Sequence, residues 1–275
     1  MQDVRNQLLK TEQNMKIETI AVHGGYTPDP TTKAVAVPIY QTVAYAFDNT
    51  QHGADLFDLK VAGNIYSRIM NPTNAVLEGR MAALEGGIGA LAVASGMAAI
   101  AYAIQTIAEA GDNIVASSAL YGGTYNLFAH TFPQMGLEVR FADPHDPAAF
   151  APLIDARTKA VFCESVGNPL GNVTDIAALA SVAHAVGVPL IVDNTVSTPY
   201  LCRPFEHGAD IVVHALTKYL AARPIRVAAA SAASRHRARR RATGFVWGRG
   251  RRSSGHWAYN DGSIVLPSRI IASGA

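Results

Sequence analysis

Residues 188–220 read VPLIVDNTVSTPYLCRPFEHGADIVVHALTKYL. Two short runs in this stretch, PLIVDN (189–194) and DIVVHA (210–215), are rich in β-branched residues and apolar at successive positions. A strand apolar on both faces belongs in a sheet covered on both sides, which is the setting of parallel sheets. Asp193 lies at the end of the first run, and Thr217-Lys218 fall just beyond the second. Working back toward the N-terminus, LAVAS (91–95), NIVAS (113–117), LEVRFA (137–142) and AVFCES (160–165) have the same character. Helical patterns at 97–109, 122–134, 147–155 and 174–187 lie between most of these runs. The alternation predicts an α/β fold with a mainly parallel sheet. In such sheets ligands gather at the carboxyl ends of strands. Ser95, Glu164, Asp193 and His214 all fall near those ends.

Composition narrows the class. With 275 residues, 49% hydrophobic and 16% charged, the chain is globular and can bury one large core or two small ones. Gly86–Ala108 carries no charge and is long enough to span a membrane. Four glycines and Ser95 interrupt it, however, and it divides into a short strand and a helix of a soluble core, so no membrane partner is expected. The first residues, MQDVRNQLLKTEQNMK, are polar and mixed in charge, unlike a secretory leader. Cys163 and Cys202 form no C-x-x-C pair and no Cys/His cluster. The expectation is therefore no disulfide framework, no metal and a reducing cytoplasm.

Four local features carry candidate chemistry, each with a plainer alternative. Ser95-Gly96-Met97 follows a buried strand and opens a helix, where free N–H groups and a glycine admit a phosphate; it also suits a compact connection. Tyr121, beside Gly122-Gly123, can stack on a flat ring or pack as a loop tyrosine. Asp193 can pair with a cation such as a protonated pyridine nitrogen, or cap the following turn. Lys218, 25 residues after Asp193, can form a Schiff base or sit on the surface. Their occurrence together, in this order, strengthens each functional reading.

These motifs resemble the Cys/Met-metabolism family of pyridoxal-phosphate enzymes, which have the aspartate-aminotransferase-like fold (fold type I). Within it they are most similar to sulfhydrylases acting on O-acetylhomoserine. The resemblance rests on ETIAVHGGYTPDP, VPIYQTVAYAF, GNIYSRIMNPTNAVLEGRMAALEGG, ASGMAAI, LYGGTYNLF, ESVGNPLGNVTDI, VDNTVSTPYL and VHALTKYL, from about Lys16 to Leu220. It implies pyridoxal 5′-phosphate carried by Lys218, with Asp193 on the ring nitrogen and Tyr121 stacked on the ring. It places Gly96, Met97 and Thr217 at the phosphate and Asn168 near the ring's 3-oxygen. Tyr66 and Arg68 would reach the phosphate in a neighbouring subunit, which implies a homo-oligomer with shared active sites. The implied reaction is a γ-replacement on O-acetylhomoserine by sulfide or a thiol; cystathionine γ-synthase and methionine γ-lyase chemistry are the alternatives within the family.

The pattern departs from the family in two places. Ala215 stands where the family usually has serine, which removes a phosphate hydroxyl donor. After Leu220 the expected glycine-rich stretch is replaced by an Arg-rich one. Residues 1–222 hold 12 Lys+Arg against 20 Asp+Glu, net −8, whereas residues 223–275 hold 11 Arg against Asp261 alone, net +10. With Trp247 and Trp257 this segment could bind nucleic acid. Its gain of Arg, Ala, Gly and Ser with loss of Lys instead matches an out-of-frame reading of a GC-rich gene, and nucleic acid is not the expected partner. The expected organisation is an N-terminal arm (1–60), an incomplete cofactor domain (61–222) and an aberrant tail (223–275). On that reading the chain is a truncated, inactive remnant of the enzyme.

Overall fold

The computed structural model describes residues 15–220 and the backbone of residues 229–233. The chain opens with helices α1 (Ile17–His23) and α2 (Thr50–Phe57), followed by α3 (Pro72–Glu85). The ends of α3 are written in the sequence. The Asn71 side chain accepts from Thr73 N at 2.9 Å, Pro72 occupies the first turn, and Gly86 closes the helix at φ 72°. Met81 and Leu84 on α3 bury against Ile20 of α1 and against Leu216, tying the N-terminal segment to the chain just before Lys218.

The core alternates strands and helices: β1 (Ala90–Val93), α4 (Gly96–Gln105), β2 (Asn113–Ser117), α5 (Gly122–Asn126), β3 (Glu138–Ala142), β4 (Thr158–Glu164), α6 (Ile176–Ala185), β5 (Leu190–Asp193) and β6 (Ile211–His214). A π-turn at Leu127–Thr131 and a short turn at Phe132–Gln134 continue α5. All six strands expected from the apolar runs are present. So is the division of Gly86–Ala108 into strand and helix, and no helix among the described residues is long and apolar enough to cross a membrane. The pattern at 147–155 is a 3-10 helix over Pro147–Leu153 rather than an α-helix, because Pro152 lies inside it and has no N–H to donate.

The sheet order is β1-β7-β6-β5-β4-β2-β3, where β7 (Ala229–Ala233) runs antiparallel between β1 and β6. The other neighbours are parallel. Side chains alternate across the sheet and build two cores. Ile114, Ala160, Phe162, Ile191 and Val213 face α4 and the α5 region. Val115, Val161, Cys163, Val192 and Val212 face α6 and Phe150. In the first core Phe162 meets Phe128 edge-on at 5.0 Å between ring centroids, and Phe128 stacks on Phe132 at 5.5 Å. All three are fully buried, worth about 1.5–3 kcal/mol each in area removed from water. This double-sided burial fixes the strand ends, and with them the residues that follow β1, β2, β4, β5 and β6.

Candidate active site

Those strand ends surround one cleft of about 460 Å³. Ser95, Gly96 and Met97 enter it from the β1–α4 turn, and Tyr121 from the loop after β2. Glu164 and Asn168 enter from the end of β4, Asp193 and Thr195 from β5, and Ala215, Thr217 and Lys218 from β6. Eight of the sequence-predicted positions therefore meet here, although they span more than a hundred residues of chain.

At the head of α4, Ser95 Oγ accepts from Ala98 N at 3.1 Å and caps the helix. Gly96 packs against Ala215 so closely that a Cβ on Gly96 would lie 2.7 Å from the Ala215 Cβ and 3.1 Å from its Cα. A side chain at Gly96 would thus push apart the β1 and β6 sides of the cleft. With Ala98 N taken by Ser95, the Gly96 and Met97 N–H groups at this terminus remain to meet an anion.

Tyr121 is 47% exposed, unlike the core phenylalanines, and its ring folds over Gly123, where a Cβ would come within 2.6 Å of Tyr121 Cε1. Met97 Sδ is 3.3 Å from the same point. A flat, partly exposed aromatic platform inside the cleft is the result.

Asp193 and Glu164 form the floor. They are paired in register on adjacent parallel strands, so both carboxylates leave the sheet on one side. Burial pushes the Asp193 carboxyl above the usual range; hydrogen bonds from Thr195 and the nearby His214 pull the other way. One Asp193 oxygen accepts from Thr195 N at 2.9 Å, so the turn-capping alternative is real at that oxygen. Among the described residues no cationic side chain forms an ion pair with Asp193 or Glu164. Burial likewise pushes Glu164 up to about 7, helped by the charge of Asp193 and opposed by N–H groups donated from Tyr121 and Asn168. A floor of two buried acids is unfavourable unless a cation or hydrogen-bond donor completes it.

The turn after β6 is held by Ala215 N donating to Thr195 Oγ1 at 2.8 Å and Lys218 N donating to Ala215 O at 3.1 Å. Thr195 therefore links Asp193 to the Lys218 turn. Thr217 and Lys218 are exposed.

One position differs from what strand ends alone indicated. His214 does not face the cleft; it is buried on the other side, with Nε2 2.5 Å from Glu85 Oε1, while Asn194 Nδ2 donates to the same oxygen at 3.0 Å. Tyr66 and Arg68 stand outside this cleft, with the Arg68 guanidinium 5.7 Å from the Tyr66 ring centroid. Glu164 and Thr195 are site residues to which the sequence gave no role.

Comparison with known proteins supplies the context. The family model described as Cys/Met metabolism PLP-dependent enzyme matches residues 18–258. The O-acetyl-L-homoserine sulfhydrylase of Leptospira meyeri is 57% identical over 208 residues, 76% of this chain and 47% of that protein. The homocysteine synthase of Schizosaccharomyces pombe is 53% identical over 204 residues, 74% of this chain and 48% of the relative. The chain thus spans about half the length of the curated relatives it matches. A crystal structure from Campylobacter jejuni, described as an O-acetylhomoserine (thiol)-lyase and containing N′-pyridoxyl-lysine-5′-monophosphate, superposes with a TM-score of 0.80. It is 42% identical, over 82% of this chain and 55% of that one.

Proposed function

The chain belongs to the family of Cys/Met metabolism PLP-dependent enzymes, and from that premise we propose that its cleft holds pyridoxal 5′-phosphate on Lys218. We propose further that the whole protein is a transferase converting O-acetyl-L-homoserine and sulfide, or methanethiol, to homocysteine, or methionine, and acetate. One observation carries the reading: Asp193, a carboxylate pushed up by burial, and Lys218 line the same cleft from neighbouring strands. The residues fit the cofactor. A protonated ring nitrogen would complete the acidic floor at Asp193, the Tyr121 platform suits a flat ring, and the α4 terminus with Thr217 suits a phosphate.

When bound, pyridoxal phosphate supplies an electron sink that acidifies the protons next to a substrate's amino group. The protein's own residues do the rest. The Lys218 amine would hold the cofactor's aldehyde and would serve as the base that moves protons at the substrate's Cα and Cβ. Asp193 would hold the ring nitrogen by accepting its N–H and would keep that nitrogen charged. Thr195 orients Asp193 from behind. Cleavage of the Cγ–O bond would release acetate, and addition of the sulfur nucleophile at Cγ would complete the replacement. The sulfhydrylase and homocysteine synthase names of the relatives favour this over the cystathionine γ-synthase and methionine γ-lyase alternatives.

Because Tyr66 and Arg68 lie outside their own chain's cleft, we propose that they serve a partner's phosphate in a homo-oligomer. Two free cysteines and biosynthetic relatives support a cytoplasmic location. The division into arm (1–60), cofactor domain (61–222) and out-of-frame segment (223–275) is also a proposal. Most of the last segment lies outside the described residues; strand β7 and the family match to residue 258 both fall within it. Nucleotide sequencing across codons 215–225 tests it.

For the site, the test is reconstitution of the chain with pyridoxal phosphate. A visible absorption band that appears in the wild type and is absent from Lys218→Ala is expected. Equal bands in both would remove Lys218 from its role.

A further inference from the structure

We infer that Glu164 is a positioning residue whose two carboxylate oxygens tie the loop bearing Tyr121 to the loop bearing Asn168, fixing the slot into which a flat ring fits. The inference rests on the cleft being the pyridoxal phosphate site. Glu164 is 5% exposed, with Oε1 accepting from Tyr121 N at 2.7 Å and Oε2 from Asn168 N at 3.2 Å. One loop follows β2 and the other follows β4, so a single side chain spans the ends of two adjacent strands. Its own backbone is pinned: Thr174 Oγ1 donates to Glu164 O at 2.7 Å, and Ser165 N donates to Asp193 O at 2.9 Å. The carboxylate is therefore held in place while it holds the loops. No ion pair among the described residues accounts for its burial, and a buried acid without one is costly. The use the geometry shows for it is to accept two backbone N–H groups at once.

A carboxylate has acceptor capacity on both oxygens, whereas a carboxamide offers one oxygen and one NH₂ group. Glu164→Gln would set an NH₂ against a backbone N–H and lose one tether. Protonation of Glu164 does the same, since the O–H oxygen becomes a donor. Asp193 on the neighbouring strand, Cys163 beside it in sequence, and Tyr121, Lys218 and Tyr219 in the same cleft are the other titratable groups around it. Groups whose protonation does not depend on Glu164 affect wild type and variant alike; Asp193 interacts with Glu164 by charge, so the same ratio is also measured in an Asp193→Asn background, where that contribution is absent.

The test is titration of the 275-residue chain and its Glu164→Gln variant with pyridoxal phosphate, followed by absorbance. Measurements at about pH 8 and about pH 6 bracket the value near 7 to which burial pushes Glu164. At the higher pH the variant should bind about tenfold more weakly or worse, the change expected for losing a charge-assisted hydrogen bond. At the lower pH the ratio should approach one, because the wild type has itself lost the tether. Equal affinities at the higher pH, or a ratio that does not change with pH, would overturn the inference. A second measurement needs neither variant nor cofactor. At least one of the amide protons of Tyr121 and Asn168 in the wild type should lose exchange protection as pH falls through about 7; protection of both that does not change with pH would overturn the tether. Failure of the wild type to bind pyridoxal phosphate would instead sink the reading of the cleft, and the amide measurement keeps the two outcomes apart.

Discussion

The same buried acid makes a prediction about folding that is independent of any ligand. Glu164 is moved from its ordinary value of 4.5 up to about 7, first by burial and then by the charge of Asp193. A folded-state value above the unfolded one means that the folded chain holds the proton more tightly. The contribution to stability is therefore fully present below about pH 4.5 and is lost as pH rises through about 7. A displacement of this size corresponds to about 3 kcal/mol at 1.36 kcal/mol for each pH unit, and about 2–3 kcal/mol of it falls between about pH 5 and pH 8.5. Glutamine cannot ionise, so Glu164→Gln removes this dependence. Urea unfolding of both chains at the two pH values, followed by circular dichroism, gives the stability difference at each. That difference should shift by about 2–3 kcal/mol toward the variant on going to the higher pH. A difference that stays constant within about 0.5 kcal/mol would mean that Glu164 is not the buried, elevated acid described here, since an effect that small is ordinary for a surface change.

Two further outcomes follow from the cleft. Asp193→Asn should weaken pyridoxal phosphate binding by more than about tenfold, or 1.4 kcal/mol, without lowering the melting temperature at neutral pH, since it removes a carboxylate that burial disfavours; equal affinity by absorbance titration would make Asp193 a turn cap only. Gly96→Ala, whose Cβ would lie 2.7 Å from that of Ala215, should weaken the same binding by an amount in the overpacking range of about 1–3 kcal/mol. Adding Ala215→Gly should restore most of the loss, and absence of that rescue in the double variant would refute a steric cause.

Much of this arrangement was legible because it rests on local pattern. The runs that form β2, β4, β5 and β6 are apolar on both faces, and most of their ends lead into the residues that line the cleft. Strand β7 was not legible, since AASAA has neither β-branched nor aromatic residues. Its strand character comes from pairing with β1 and β6, which lie far away in sequence. Helix α3 has a weak apolar pattern, and only Asn71-Pro72 and Gly86 mark its ends in the sequence. Glu164 was noted at a strand end without a role, because one of its partners is a backbone N–H 43 residues upstream and no side-chain motif records that. His214 misled for the converse reason: period-two alternation at the end of β6 turns it away from the cleft toward Glu85.

The placement of β7 has a consequence for how the molecule is made. Gly96 follows β1 and Lys218 follows β6, yet these two strands do not touch; each pairs with β7, Ala90 opposite Ala232 and His214 opposite Ala230. During synthesis every parallel neighbour in the sheet has emerged once β6 is complete, while β1, the first strand out, still lacks β7, its one partner among the described residues. Closing so long a loop is slow, and until it closes β1 presents an open edge. A nascent chain halted between residues 220 and 229 would thus hold most of its core while β1 lacks the strand that joins it to β6. In that interval an edge-capping chaperone, or a strand from another chain, competes with β7 for β1.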